Sequence, residues 1–146
     1  MGHPTLIGTV IDAVEARRVG EFWRELTGFR YRRGDEPPGE GEADTAAQEW
    51  LVLCDESGRA QLAVQPVEEL PVPTWPAPDV PQQMHLDLMV GSKEELAEQH
   101  DRVLELGGRI LQDRRDSTEE AIIVFADPAG HPFCILVSPT ATVPTT

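Results

Sequence analysis

The chain has 146 residues, which fits one domain or two half-sized modules that share a core, but not two independent domains. Its 26 acidic and 12 basic side chains give a formal net charge of −14, and a field of that sign repels phosphate backbones and anionic lipids. We therefore expect no nucleic-acid partner and no membrane partner. The chain starts without the basic and apolar regions of a signal peptide, and no apolar run approaches the roughly 20 residues of a membrane span, so we expect a cytoplasmic protein.

The first half of the chain has the pattern of a strand, a helix, a strand and a hairpin. The helix is indicated by an apolar stripe at the spacing i, i+3, i+4, i+7, and Gly28 stands where a C-terminal cap belongs. The hairpin is indicated by two β-rich runs on either side of the turn sequence 55–59. The predicted elements are a strand over 5–13, a helix over 16–27, a strand over 29–32, a polar acidic loop over 34–47 and hairpin strands over 50–54 and 60–64.

The same order of elements returns in the second half, after a proline-rich, extended linker over 66–83. Ser92 and Glu95 form a capping-box sequence at the start of the second helix. The predicted elements are a strand over 84–90, a helix from 92 to about 106, a strand over 109–111 and hairpin strands over 121–126 and 133–137. The turn motif Asp-x-x-Gly at 55–58 recurs at 127–130, so each half is a βαβββ unit. A unit of about 60 residues needs a second copy to bury its core.

The predicted strands and helices contain short sequence motifs that resemble those of a known superfamily over about residues 5–138. The motifs are Ile11-Asp12-Ala13-Val14-Glu15, Phe22-Trp23, Leu26-Thr27-Gly28-Phe29, His85-Leu86-Asp87-Leu88, Leu106-Gly107-Gly108 and Asp127-Pro128-Ala129-Gly130-His131-Pro132-Phe133-Cys134. With them the chain resembles the vicinal oxygen chelate superfamily of glyoxalase I, bleomycin-resistance proteins and extradiol dioxygenases, and most of all its glyoxalase-like branch, common in bacteria.

The resemblance implies an α+β fold of two βαβββ modules, over 5–66 and 84–138, that form a U-shaped mixed sheet around a cavity with the helices outside. It implies one domain over 1–146, a small-molecule ligand in the cavity and a homodimer. It also implies where a divalent metal would be held, because catalytic members place His, Gln or Glu at four inward strand positions.

Those four positions carry Gly8, Leu62, His85 and Cys134 in this chain. Glycine and leucine offer no ligand atom, and the other two residues are fewer than the three or more protein ligands of a functional divalent site. We therefore predict no functional metal and no cofactor. Without the chelate, the glyoxalase and dioxygenase mechanisms are not expected.

Four residues are predicted to bind the ligand: Asp12, His85, Trp50 and Cys134. His85 is either a hydrogen-bond donor or proton acceptor in the cavity, or a satisfied core histidine. Asp12 faces inward by strand parity as a base or cation anchor, unless it caps the following helix or pairs with an arginine such as Arg17. Trp50 is expected at the cavity mouth, and Cys134 is expected to be a small, unreactive thiol.

Three further features have two interpretations each. Asp87 shares a strand face with His85, either as the carboxylate that orients the imidazole or as the partner in a structural ion pair. Trp75, in the linker, covers the cavity or seals a dimer contact. The acidic loop over 34–47 is solvated or becomes ordered over a ligand. The two cysteines lie in apolar runs and are expected to be free, buried thiols.

Two functions of different classes follow from these residues. The first is a protein that binds a small, partly aromatic molecule without a functional metal, with a preference for cations because of the negative charge. The second is an enzyme, which is either a lyase or isomerase that uses His85 and Asp12 as acid and base or a metal-dependent glyoxalase-like or dioxygenase-like enzyme.

Overall fold

The computed structural model describes residues 2–138, and Met1 and residues 139–146 of the expected domain over 1–146 lie outside them. The chain divides into two compact units, a first unit up to Leu70 and a second unit from Pro71 onward. The first unit contains β1 (Thr9–Ala13), α1 (Ala16–Thr27), β2 (Arg30–Tyr31), the short 3-10 helix Ala46–Gln48, β3 (Leu51–Cys54) and β4 (Ala60–Pro66). The second unit contains β5 (Leu86–Val90), α2 (Lys93–Glu105), β6 (Arg109–Arg114), β7 (Ile122–Ala126) and β8 (Pro132–Val137).

Each unit has one four-stranded mixed sheet with the same strand order. The first sheet runs β1-β4-β3-β2 and the second runs β5-β8-β7-β6. In both sheets the first strand lies parallel to the last strand of its unit, and the remaining neighbours are antiparallel. The predicted α+β fold of two βαβββ units is therefore confirmed.

The two helices begin and end where the sequence places them, within one residue. The apolar stripe of α1 is buried, and Gly28 ends the helix in the left-handed conformation while its N–H donates to the Arg24 carbonyl at 2.9 Å. At the start of α2, the Ser92 hydroxyl accepts from the N–H of Glu95 at 3.1 Å. The predicted capping box is only half formed, because the Glu95 carboxylate accepts instead from the N–H of Gly91 at 2.6 Å.

Two strand boundaries differ from the prediction by more than two residues. The first strand begins at Thr9 rather than Thr5, and Leu6 is 84% exposed, so the apolar residues before Thr9 do not contribute to the core. The strand predicted over 109–111 extends to Arg114, because its ladder with β7 continues to the Arg114–Ile122 pair. Hydrophobicity alone did not reveal these limits, because the pairing of backbone groups between strands sets them.

The two faces of the first sheet can be assigned from one contact. A Cβ atom added to Gly20 of α1 would lie 3.3 Å from Leu51 Cδ1, so Leu51 lies under the helix. Leu51 pairs with Val64, and the next pair on the same face is Leu53 with Leu62. Leu62 is therefore a core residue beneath α1, with 4% of its surface exposed.

Among the described residues, no helix is both long and apolar enough to cross a lipid bilayer.

Candidate functional site

Three side chains of different chemistry come together in the second unit: His85, Asp87 and Cys134. One potential ligand atom from each lies within 4.8 Å of the others, and we call this group the His–Asp–Cys cluster. The parallel ladder between β5 and β8 places Asp87 directly opposite Cys134. His85 precedes β5 by one residue, and its two-residue spacing from Asp87 corresponds to one side of a strand.

The cluster combines two accessible groups with one buried group. The His85 Nε2 atom lies 3.3 Å from Asp87 Oδ1, and the two side chains are 43% and 57% exposed. Cys134 is buried between its ladder neighbours Asp87 and Val124. The thiol is therefore held by the sheet, whereas the imidazole and the carboxylate have room to move.

The electrostatics of the cluster keep the thiol protonated. The pKa of Cys134 is raised to about 11, chiefly by burial and to a lesser extent by the negative charge of Asp87, the hydrogen bond with Asp87 and the charge of Glu120. At neutral pH the Cys134 thiol is thus a weak donor to the Asp87 carboxylate rather than a nucleophile.

The equivalent ladder positions of the first unit carry no ligand atoms. Val10 occupies the second position of β1, as Asp87 does in β5, and Val10 pairs with Ala63. Two residues before Val10 stands Gly8, at the place of His85. Gly8 has φ = +151°, and a Cβ atom there would lie 3.3 Å from the Gln61 carbonyl oxygen, so a histidine would require the backbone to shift.

The fourth ligand position implied by the resemblance is therefore corrected from Leu62 to Ala63. The ladder of β3 with β4 shifts between Leu53 and Cys54, so that Gln61 is an extra residue. The ladder of β7 with β8 has no such shift. The turn motifs at 55–58 and 127–130 lie 72 residues apart, and counting back 72 residues from Cys134 gives Leu62. Because of the extra residue Gln61, the position equivalent to Cys134 is the next one, Ala63, and Leu62 lies on the opposite face of the strand. Alanine also lacks a ligand atom, so the first unit does not fit a metal shared between the modules.

Asp12 lies on β1 opposite Gln65, on the same strand face as Val10 and away from α1. It is half-buried. The N-cap residue of α1 is Glu15, whose own side chain forms no capping hydrogen bond.

Trp50 is also half-buried, and it precedes β3 directly, with its N–H donating to the Ala46 carbonyl at 2.9 Å. Trp23, by contrast, is a core residue. Asp12 and Trp50 belong to the first unit, whereas His85 and Cys134 belong to the second unit. Asp12 and Trp50 therefore remain predicted ligand contacts. Trp75, half-buried in the second unit, keeps both of its interpretations.

The acidic loop over 34–47 is anchored to the first unit. The Arg17 guanidinium donates to both carboxylate oxygens of Asp44, at 2.7 and 2.8 Å, and to the carbonyl of Asp35 at 2.6 Å. The hydrogen bond from Arg17 lowers the pKa of Asp44. The Asp35 carboxylate is buried and accepts from the N–H of Val52 at 2.9 Å. The loop is thus ordered by contacts within the protein, which neither interpretation from the sequence anticipated.

The sequence motifs indicate two members of the His–Asp–Cys cluster, His85 and Cys134, as metal-ligand positions, and they indicate Asp87 only as a partner of His85. The missing third ligand atom could have been found from the spacing His85-x-Asp87 on a strand. It also required the register that places Asp87 opposite Cys134, which a single sequence does not reveal. Both cysteines are free thiols, and Cys54 is only half-buried.

The family model described as "Glyoxalase-like domain" matches residues 8–136. The chain belongs to this family, and thereby to the vicinal oxygen chelate superfamily that the sequence motifs resemble. No curated protein matches the sequence.

Among solved structures, the chain is similar to a hypothetical protein from S. aureus, with 18% identity, a TM-score of 0.64 and coverage of 94% of this chain and 100% of that one. It is similar to the fosfomycin resistance protein FosX from Listeria monocytogenes, with 15% identity, a TM-score of 0.66 and coverage of 95% and 97%. A glyoxalase/bleomycin resistance protein/dioxygenase family enzyme from Burkholderia phytofirmans has 12% identity, a TM-score of 0.63 and coverage of 90% and 96%. At these identities the likeness is one of fold.

Proposed function

We propose that the protein binds a small organic molecule at the His–Asp–Cys cluster, without the divalent metal that catalytic members of the superfamily hold between their modules. The observation that carries the proposal is the convergence of an imidazole, a carboxylate and a thiol on strands β5 and β8. Two of the three side chains are accessible, so a ligand can exchange hydrogen bonds with them. Asp12 and Trp50 are proposed as further ligand contacts in the first unit.

The charge of the site favours a ligand with a protonated amine or another cationic group. Asp87 carries a negative charge beside a thiol that stays neutral, and the formal net charge of the chain is −14. A field of this sign attracts cations and repels anions. One structure of a mutant form of FosX contains Mn(II) and a dihydroxypropylphosphonic acid, which is an anion. We propose that this chain, whose first unit offers no ligand atom at Gly8 and Ala63, takes a ligand of the opposite charge.

A thermal-shift screen with cationic, neutral and anionic members of one aromatic scaffold tests this proposal. We expect the cationic members to raise the melting temperature of the protein, and Asp87→Asn to abolish the preference for them. Asp116→Asn removes the same charge from an exposed turn outside the cluster and is the matched control. An equal response to all three charge classes, or an equal loss in both variants, would contradict the proposal.

The second candidate function is metal-independent acid–base catalysis by a lyase or isomerase. It is favoured by the distance of 3.3 Å between His85 Nε2 and Asp87 Oδ1, because a carboxylate at this distance can orient an imidazole that moves a proton. Once a bound compound is known, its conversion separates the candidates. A catalyst loses turnover in His85→Gln while binding persists, whereas a binding protein leaves the compound unchanged in every variant.

We further propose that the protein is a homodimer and acts in the cytoplasm. Exposed apolar side chains on the first strand of each sheet, Val10 and Met89, support the dimer, since apolar surface favours association. Light scattering at about 50 μM, far above the dissociation constant of a typical dimer, should give twice the mass of 16.1 kDa. A mass of one chain would contradict this part of the proposal.

A further inference from the structure

We infer that His85, Asp87 and Cys134 form a site for one thiophilic divalent cation, of which Zn²⁺ is the type, contained within the second unit. The inference goes beyond the proposed function, which requires no metal. It concerns a different chemical class of occupant for the same cluster.

The positions of the three ligand atoms fit a tetrahedral ion after a small movement. Zinc binds nitrogen and oxygen at about 2.0–2.1 Å and sulfur at about 2.3 Å, so its tetrahedral ligand atoms lie roughly 3.3–3.6 Å apart. His85 Nε2 and Asp87 Oδ1 already lie 3.3 Å apart, and no two atoms of the cluster are separated by more than 4.8 Å. The remaining approach of about 1 Å toward Cys134 falls to the two exposed side chains, which can rotate.

The donor set selects the kind of cation. One sulfur, one nitrogen and one carboxylate oxygen suit zinc and its neighbours among the transition metals, whereas magnesium and calcium require oxygen ligands. On binding, the cation displaces the proton of the Cys134 thiol to solvent, and the resulting thiolate and the Asp87 carboxylate supply two negative charges, which balance a dication. Three protein ligands leave the fourth tetrahedral position open for water or a ligand atom.

This site shares His85 and Cys134 with the metal centre implied by the superfamily resemblance, but it differs in its third ligand and takes no ligand from the first unit. Asp87 is not one of the four inherited positions, and the first-unit positions Gly8 and Ala63 contribute nothing. All three ligand atoms come from β5, the residue before it and β8, so the site needs no residue of the first unit.

The cation and the proposed organic ligand would use the same groups. An ion held by His85 and Asp87 occupies the two accessible partners of the organic ligand, so we expect the two occupants to compete. The failure of either proposal is still distinguishable, because metal binding is measured with the metal alone and ligand binding is measured in chelator-treated protein.

The experiment is a titration of chelator-treated protein with Co²⁺, followed by displacement with Zn²⁺. We expect one equivalent of Co²⁺ to produce the charge-transfer absorption of a cobalt–thiolate bond and one equivalent of Zn²⁺ to remove it. Cys134→Ser should lose this absorption, whereas Cys54→Ser, which removes the half-buried thiol of β3, should retain it. Mg²⁺ and Ca²⁺ should not compete.

Exposed ligands provide variants that leave the core intact. His85→Gln and Asp87→Asn should each weaken Co²⁺ binding at least about tenfold, since even partners that only orient metal ligands cost that much. Asp116→Asn should leave the affinity unchanged. Absence of the charge-transfer absorption, or its loss in Cys54→Ser, would mean that Cys134 does not bind the ion. Equal affinities of wild type, His85→Gln and Asp87→Asn would mean an adventitious ion only. Each of these outcomes would overturn the inference.

Discussion

The two units of this protein share one pattern of strand pairing but carry different side chains at equivalent positions. In the second unit, Asp87 of β5 faces Cys134 of β8, whereas the same ladder position in the first unit pairs Val10 with Ala63. The residue two places before this pair is His85 in one unit and Gly8 in the other. At these positions the potential ligand atoms are therefore confined to the second unit.

The residues on the other face of each sheet, beneath the helix, are alike in the two units. The pairs Leu51–Val64 and Leu53–Leu62 form the buried face in the first unit, and the pairs Ile123–Ile135 and Phe125–Phe133 form it in the second. All eight side chains are apolar and almost fully buried. Because successive residues of a strand point to opposite faces, a unit can keep its core unchanged while the other face gains or lacks reactive groups.

The largest expected effect tests whether the buried faces are equivalent. Phe125 is fully buried and stacks on Phe133 with ring centroids 5.5 Å apart, so Phe125→Ala should lower the free energy of unfolding by about 3–5 kcal/mol. Leu53→Ala, at the same place in the first unit, should cost about 2–5 kcal/mol. Urea denaturation measures both. The exposed Met89→Ala is the control and should stay within about 0.5 kcal/mol. A small effect of either core variant would show that one unit does not depend on this face.

Features with a local cause were predictable from the sequence, and features set by ladder register were not. The stripe of α1 and its Gly28 cap lie within a dozen residues, and the predicted helix matches the structure from Ala16 to Thr27. The bulge at Gln61 leaves no mark in the hydrophobic pattern, yet it moves the site position from Leu62 to Ala63. The Asp87–Cys134 contact likewise depends on pairing two strands that are distant in sequence.

A second difference between the units is the length of the strand that pairs with β3 in the first sheet and with β7 in the second. In the second sheet, β6 pairs with β7 from Arg109 to Arg114 with one bulge at Leu111, whereas β2 in the first sheet has only two residues. The loop after β2 compensates through Asp35, whose buried carboxylate accepts the N–H of Val52.

Asp35→Ala should therefore lower the free energy of unfolding by about 1–3 kcal/mol, because it leaves a buried N–H group without its acceptor. Asp113→Ala in β6 is the matched control. It removes a partly exposed ion pair with Arg115 and should cost at most about 1 kcal/mol. Equal losses in urea denaturation would mean that the loop after β2 does not take the place of a longer strand.

Each unit also contains one acidic group whose pKa is raised chiefly by burial, Tyr31 in the first and Cys134 in the second. Burial raises the pKa of Tyr31 to about 12, and its hydroxyl donates to the Glu21 carboxylate at 2.9 Å. Tyr31 is the only tyrosine, so the ultraviolet absorbance of phenolate reports this group alone.

The folded protein should show a phenolate midpoint near pH 12, against about 10 for the chain unfolded in urea. Since the folded state keeps the proton longer, the contribution of Tyr31 to stability is complete below pH 10 and is lost as the pH rises toward 12. Glu21→Gln removes one cause and should lower the midpoint of the folded protein. Coincident midpoints for the folded and unfolded chain would show that Tyr31 is solvated.

The smallest expected effect concerns the thiol of the second unit. With a pKa of about 11, only about one Cys134 thiol in a thousand is ionised at pH 8, so its alkylation by iodoacetamide should be slow. Asp87 contributes to this value through its charge and its hydrogen bond, whereas the paired position of the first unit carries only Val10. We expect Asp87→Asn to lower the pKa of Cys134 and to speed its alkylation several-fold, up to about tenfold for each pKa unit.

The measurement follows the alkylated mass with time in a Cys54→Ser background, so that a single thiol reacts. Asp116→Asn is again the control for the loss of one negative charge, and its rate should match that of the background. Asparagine has nearly the shape of aspartate, so Asp87→Asn should leave access to the buried sulfur unchanged, and a change in rate then reports ionisation. If Asp87→Asn leaves the rate unchanged, burial rather than Asp87 holds the proton on Cys134. The carboxylate and the thiol would then be neighbours on the ladder without electrostatic coupling, and the second unit would differ from the first in composition only.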